Sequence, residues 1–244
     1  MRHDVAIYGS RQIDNIQVIV TSRFGGRSAG VFAELNLGAH VGDDADVMNW
    51  NRNYVRDLVD ADQLAFMNQY HSNVVHRIDA NSPITDGDGL ITTTPDLAIA
   101  AFSADCSTFA LVDPVAQLIA VGHSGWKGLA VGLPDALVGE FLAAGADPTR
   151  TTAIIAPSIC GPCYEVPAER VDELRPICPE AITDATHIDV TTGVFSVISN
   201  YGIDCDIVGG CTHENPSLYS FRRDGVTGRN AIVAVINSQT PQAA

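Results

Sequence analysis

The sequence predicts an α+β fold with mixed sheets, on three observations. Short β-rich runs recur along the chain, most of them are apolar throughout, and the helical segments between them keep no strict βαβ alternation. The runs are IQVIV (16–20), LAFMNQY (64–70), VVHRID (74–79), LAIAAF (97–102), FALV (109–112), QLIAVG (117–122), TAIIA (152–156) and AIVAVI (231–236). Unbroken apolarity suits strands covered on both faces, since successive side chains point to opposite sides of a sheet. FALV and QLIAVG flank Asp113-Pro114, a turn signal that makes them a hairpin.

The clearest helix spans 44–59, where Val47, Trp50, Tyr54, Val55 and Leu58 share a face and Asp43 or Asp44 can cap the start. A second runs from about Pro134 to Ala144, with proline tolerated in the first turn. A third, at 167–175, begins at Pro167, and a fourth covers 194–201 as VFSVISNY. No repeat, low-complexity tract or linker divides the 244 residues, so one domain over 1–244 is expected.

A formal charge of −15 repels phosphate backbones and anionic lipid, which argues against nucleic acid and membrane as partners. A small anion such as phosphate remains compatible, because a local arginine cluster outweighs a distant field screened beyond about 10 Å. MRHDVAIYGSRQIDN lacks a leader's apolar core, and the longest apolar runs are too short to span a bilayer, so the expected location is cytoplasmic. Six cysteines in a chain of this length are too sparse for a secreted disulfide framework and read as thiols or metal ligands.

Three candidate ligands share one property: His71, Cys106 and His123 each stand at or just beyond the end of a predicted strand. Strand ends are rigid and open at the rim of the core, where a preorganised site is easily held. Two imidazoles and a thiolate suit zinc and leave a fourth tetrahedral position for a reactant, the arrangement of catalytic zinc. The other reading is two hydrogen-bonded core histidines and one small buried cysteine. Cys160-Gly-Pro-Cys163 has the spacing of a zinc or redox motif, yet no second C-x-x-C completes it, and IAPSICGPCY reads more simply as a strand leaving through a proline-bent turn. Two segments are unusually polar for their surroundings, 35–44 with Asn36 and His40, and 220–230 with Arg222, Arg223 and Arg229. The second is an anion pocket or a solvated turn whose arginines pair with carboxylates.

Six blocks, TSRFGGRSAGVFAELNLGAHVGDD, MNQYHSNVVHRID, DGLITTTPDLAIAAFSADC, AVGHSGWKGL, APSICGPCYEV and CTHENPSLYSFRRDGVTGRNA, occur in an order that resembles the YfiH family. Its members are also called multicopper polyphenol oxidase or laccase-domain proteins, purine nucleoside phosphorylases and peptidoglycan editing factors. The resemblance covers nearly the whole chain and implies a zinc site at His71, Cys106 and His123. It implies phosphorolysis of adenosine, inosine and methylthioadenosine, adenosine deamination, and an α/β/β/α sandwich similar to the catalytic domain of cytotoxic necrotizing factor. Tyr70 and Ser72 flank the first histidine where valine and glycine are common in the family, and Lys127 stands where arginine often does.

On this reading activated water attacks C6 of adenine while Asp105 moves protons to the departing ammonia, unless Asp105 is only a local cap. Asn36, His40, Lys127 and Arg223 are the expected substrate-binding residues, the last two for phosphate. The competing expectation is a metal-free amidase acting on a peptidoglycan precursor, with Cys106 as nucleophile and His123 as its base. Copper-dependent phenol oxidation needs more histidines than the seven present.

Overall fold

The computed structural model describes residues 6–238. A five-stranded sheet contains β1 (Ile7–Ile13), β2 (Ile16–Thr21), β3 (Gln63–Phe66), β6 (Leu97–Ser103) and β11 (Asn230–Ile236), in the order β1-β2-β11-β6-β3. A six-stranded sheet contains β4 (Val75–Arg77), β5 (Gly89–Thr92), β7 (Ser107–Asp113), β8 (Leu118–Ser124), β9 (Thr152–Ile155) and β10 (Asp204–Ile207), in the order β10-β9-β7-β8-β5-β4. Both are mixed as expected, with parallel pairing at β3–β6, β4–β5 and β9–β10 and antiparallel pairing elsewhere.

The apolar runs are explained by the layering. In β11, Ile232, Ala234 and Ile236 point between the sheets, while Ala231, Val233 and Val235 point outward to α1 (Ala45–Leu58). In β8, Ile119 and Val121 enter the space between the sheets, whereas Leu118 and Ala120 meet the opposite helical layer. That layer holds α2 (Trp126–Ala130), α3 (Leu133–Ala143), α4 (Ala168–Leu174) and α5 (Val190–Ser199), through Leu129, Leu137, Phe141, Val171, Leu174, Val194 and Ile198. The interiors of β6, β7, β8 and β11 are therefore buried on both faces.

Several elements depart from expectation. The run 64–70 stops pairing with β6 after Phe66, because the Gln69 side chain donates to Phe102 O at 2.8 Å and accepts from Phe102 N at 3.0 Å. A side chain there takes the place of a ladder and lets residues 67–72 bend away. The run 74–79 contracts to β4. In α1, Asp44 is the cap, accepting from Asp46 N and Val47 N at 2.9 and 3.0 Å. Its buried face is Met48, Asn51, Tyr54 and Val55, rotated from the expected stripe because Asn51 binds the Arg27 amide, Ser28 Oγ and the Glu34 and Asn36 carbonyls. The helix expected at 194–201 begins at Val190, where Asp189 caps Thr192 N at 2.9 Å. Thr191, Thr192 and Gly193 are weak helix formers, so only the cap reveals that first turn. The strands β1, β5 and β10 and the short α2 were not anticipated; β1 and β10 carry too many polar residues at partly exposed positions to stand out. Of the leader-free reading of residues 1–15, residues 1–5 lie outside the described residues. Among the described residues no helix is long and apolar enough to cross a membrane.

The expected hairpin is present, with Asp113 opposite Leu118. Asp113 is inaccessible to solvent and accepts from the Val115, Ala116 and Asp147 amides and from Arg150. Burial alone would push its carboxyl up, but these donors and the Arg150 charge hold it below the usual range. A depressed folded pKa gives stability that is present above the unfolded value of about 3.9 and is lost as pH falls through the folded value. Asp113→Ala is expected to lower unfolding stability at pH 7 by roughly 3 kcal/mol. Urea titrations should show the gap to wild type narrowing below about pH 4; a gap independent of pH would contradict this assignment.

Candidate functional site

His123 lies in β8 directly beside Thr108 of β7, which places Cys106, one residue before β7, at the same rim of the six-stranded sheet. His71 arrives from the other side on the segment released after β3. One ligand atom from each of the three side chains lies within 4.8 Å of the others, and the His71 and His123 ring centroids are 5.0 Å apart. The expected triad converges. His71 and Asp105 both adopt left-handed backbone, φ +65° and +97°, a conformation costing a non-glycine residue roughly 1–2 kcal/mol. Gly125 forms the remaining wall: a Cβ there would stand 2.8 Å from Cys106 Sγ and 3.3 Å from His71 Nδ1.

Asp88 controls this arrangement. Its fully buried carboxylate lies 2.9 Å from His123 Nδ1, accepts from Ser72 N at 2.6 Å and Ser72 Oγ at 2.8 Å, and is 3.2 Å from the His71 amide. Burial opposes its charge, yet the bonds from His123 and Ser72 prevail and hold it at about 2. Burial likewise opposes charge on His123, but Asp88 on one side and Cys106 on the other raise it to about 9. Ser72 thus supplies both an amide and a hydroxyl to the anchoring carboxylate. His71 differs: burial, then the neighbouring His123 and Lys127, lower its pKa and favour the neutral ring that ligates metals.

The residues fit a metal ion. Among the described residues His71 Nδ1 is buried without a hydrogen-bond partner, the cost of which an ion would remove. The histidine–carboxylate pairing of His123 with Asp88 is the outer support that fixes a ligating imidazole. Two nitrogens and a sulfur are a donor set suited to zinc.

The triad opens into a cavity of about 330 Å³. Phe102, Trp126, Tyr164 and Phe221 give it aromatic surface, and His40, Arg222 and Arg229 give it polar groups. His40 stacks on Phe102 at 5.4 Å, and burial first, then Arg229, lowers its pKa. Asn36 is buried behind this wall, accepting from the Gly38 and Arg229 amides and donating to Asp43. It thereby fixes the backbone that carries His40 and Arg229. Asp105 lines the cavity, but one of its oxygens accepts from Thr212 Oγ1 and the other from the Arg222 amide, each at 2.6 Å.

Lys127 is exposed, with its ammonium 5.8 Å from the Trp126 ring, outside the residues that line the cavity. Arg223 is turned away, donating to the Thr212, His213, Asn215 and Leu218 carbonyls and to Asp224. Its neighbours face inward instead. Arg222 lies over Tyr164 and donates to Glu165 O, and Arg229 donates through Nη1 to Thr227 O and Gly228 O. The arginine cluster was visible in the sequence, but which guanidinium faces in depends on the short α6 (Phe221–Asp224). Asp88 gave no signal beyond its place in a polar turn.

If Asp88 sets the tautomer of His123, Asp88→Asn should weaken zinc binding about 10–100-fold, measured by competition with a chromophoric chelator. Gly125→Ala should weaken it as well, by displacing Cys106 Sγ. Wild-type affinity in both variants would contradict this geometry.

Comparison with known proteins places the site in context. A family profile described as multi-copper polyphenol oxidoreductase laccase matches residues 17–237. Purine nucleoside phosphorylase ORF3 of Streptomyces griseus is 38% identical over 222 residues, covering 86% of this chain and 90% of that protein. Purine nucleoside phosphorylase SCO2081 of Streptomyces coelicolor is 37% identical over 221 residues, covering 86% and 91%. The crystal structure of Neisseria meningitidis protein NMB0706 superposes with a TM-score of 0.86 at 28% identity, covering 94% of this chain and 99% of that one. YlmD from Geobacillus stearothermophilus gives 0.84 at 26% identity, covering 92% and 93%. The chain belongs to the multi-copper polyphenol oxidoreductase laccase family, the group that includes the YfiH and YlmD proteins and relatives named purine nucleoside phosphorylases.

Proposed function

We propose that this chain is a zinc-dependent purine nucleoside phosphorylase of the cytoplasm, cleaving adenosine, inosine and methylthioadenosine and also deaminating adenosine. The observation that carries the reading is the convergence of His71, Cys106 and His123 beside a cavity that holds both aromatic faces and two arginines. A volume of about 330 Å³ is at the small end of small-molecule sites, which span about 300–1,000 Å³. The names of the Streptomyces relatives agree with nucleoside and phosphate as the substrates.

His71, Cys106 and His123 would hold the zinc ion, which supplies Lewis acidity toward developing negative charge. Phosphorolysis joins a phosphate oxygen to C1′ of the ribose and breaks the C1′–N bond, the base leaving with the bonding electrons and taking up a proton. Phosphate must be held against the sugar, and Arg229 and Arg222 are the cations in the cavity to do so. The Nε and Nη2 groups of Arg229 are bound to no other described residue and can form a fork on an anion. Lys127 and Arg223, the expected phosphate ligands, have no such position. The aromatic rings supply faces for the purine, and a neutral His40 offers it a hydrogen bond without added charge. Asp105, engaged at both oxygens, acts in this reading by positioning Cys106 and Arg222.

A second reading has its own observation. Asp88, His123 and Cys106 form a carboxylate–imidazole–thiol line, the order needed for a metal-free cysteine amidase. It leaves His71 Nδ1 unexplained. Zinc-loaded protein incubated with adenosine should yield adenine and ribose 1-phosphate when phosphate is present, and inosine in its absence. Chelation should abolish both reactions, and Arg229→Ala should raise the KM for phosphate at least about tenfold. Absence of nucleoside turnover, with thiol-sensitive amide hydrolysis in metal-free protein, would support the amidase instead.

A further inference from the structure

We propose that Cys160, Cys163 and Cys211, with Glu214 completing the set, form a second cation site that binds zinc in a structural role. The proposal does not rest on the nucleoside reading. The C-x-x-C pair alone reads more simply as a turn, because its third sulfur comes from a segment 51 residues after Cys160. The fold closes that distance. β9 ends at Ile155, and the chain bends through Pro157 into the 3-10 turn Gly161–Cys163, where Cys163 N donates to Cys160 O at 3.0 Å. The segment after β10 returns alongside and pairs Cys211 with Ser158. One ligand atom from each of the four residues lies within 4.8 Å of every other. Sulfurs bound to zinc at about 2.3 Å occupy tetrahedral corners roughly 3.8 Å apart, so this spacing needs little adjustment.

The close approach of the sulfurs suits ligation of one cation. Cys160 N donates to Cys211 Sγ at 3.3 Å. Three crowded thiols cannot ionise together unless a positive ion takes up the charge. Three thiolates and a carboxylate fill a tetrahedron, which is the closed arrangement of structural zinc.

The site is separate from the cavity, since none of its four residues lines it, but its loops reach the same backbone. Ile159, next to Cys160, donates its amide to Asp105 O at 2.9 Å. Thr212, next to Cys211, donates its hydroxyl to Asp105 at 2.6 Å. An ion tying Cys160 to Cys211 would clamp two of the segments that hold Asp105, the residue that precedes Cys106.

The test uses the full chain purified from zinc-supplemented growth under reducing conditions. Metal analysis should find about two equivalents of zinc per chain in wild type, and about one in either the Cys160→Ser/Cys163→Ser or the His71→Ala/His123→Ala variant. Should the cysteine variant fail to fold, X-ray absorption on zinc-loaded His71→Ala/His123→Ala protein still decides: about three sulfur neighbours are expected. A wild-type content of about one that only the histidine changes remove would overturn the proposal. So would a Cys160–Cys163 disulfide in the purified protein, or a zinc ion with at most one sulfur neighbour in the histidine variant.

Discussion

One buried carboxylate organises the site. Asp88 stands just before β5, whose antiparallel register pairs Gly89 with Gly122 and so sets Asp88 opposite His123. His123 N donates to Asp88 O at 2.8 Å while the side chains meet at Nδ1, fixing the imidazole through both backbone and ring. The same carboxylate holds the Ser72 and His71 amides. A fully buried anion is costly unless every lone pair is used, and here those bonds position two imidazole-bearing residues from segments far apart in sequence. Distortion of the β5–β8 register would therefore disturb His71 and His123 together.

Charge explains why the cavity departs from the rest of the surface. A protein with a formal charge of −15 repels anions at long range, yet Arg222, Arg229 and the triad meet in one small cavity. Arg229 is largely desolvated, and burial lowers its pKa, so its interaction with an anion is screened less than that of an exposed lysine. Arg223 bears the same charge but uses its fork to gather four carbonyls, which makes it a brace for the loop that carries Cys211 and Thr212.

Most of the fold was legible because strands covered on both faces leave long apolar runs, as in β6, β8 and β11. The strands that escaped notice are β1 and β10, which are polar edge strands, and β5, which sits inside DGDGLITTT. Cys106 and His123 could be picked out because they stand just beyond or at the end of such runs, and His71 because it follows the run 64–70, of which only the part to Phe66 is a strand. Asp88 could not, since an aspartate in a Gly-rich turn has the same local appearance whether it caps a loop or anchors a histidine. The inward turn of Arg222 and Arg229, and the pairing of Cys211 with the C-x-x-C turn, depend on long-range packing that no local pattern encodes.

On the proposed reading, His71, Cys106 and His123 would share a single metal ion. Anomalous diffraction at the zinc edge from crystals of the zinc-loaded protein measures this directly. The expected result is a peak bonded to one nitrogen of each imidazole and to Cys106 Sγ, at about 2.0–2.3 Å. Density that leaves His71 rotated away, with no anomalous peak among the three side chains, would contradict it.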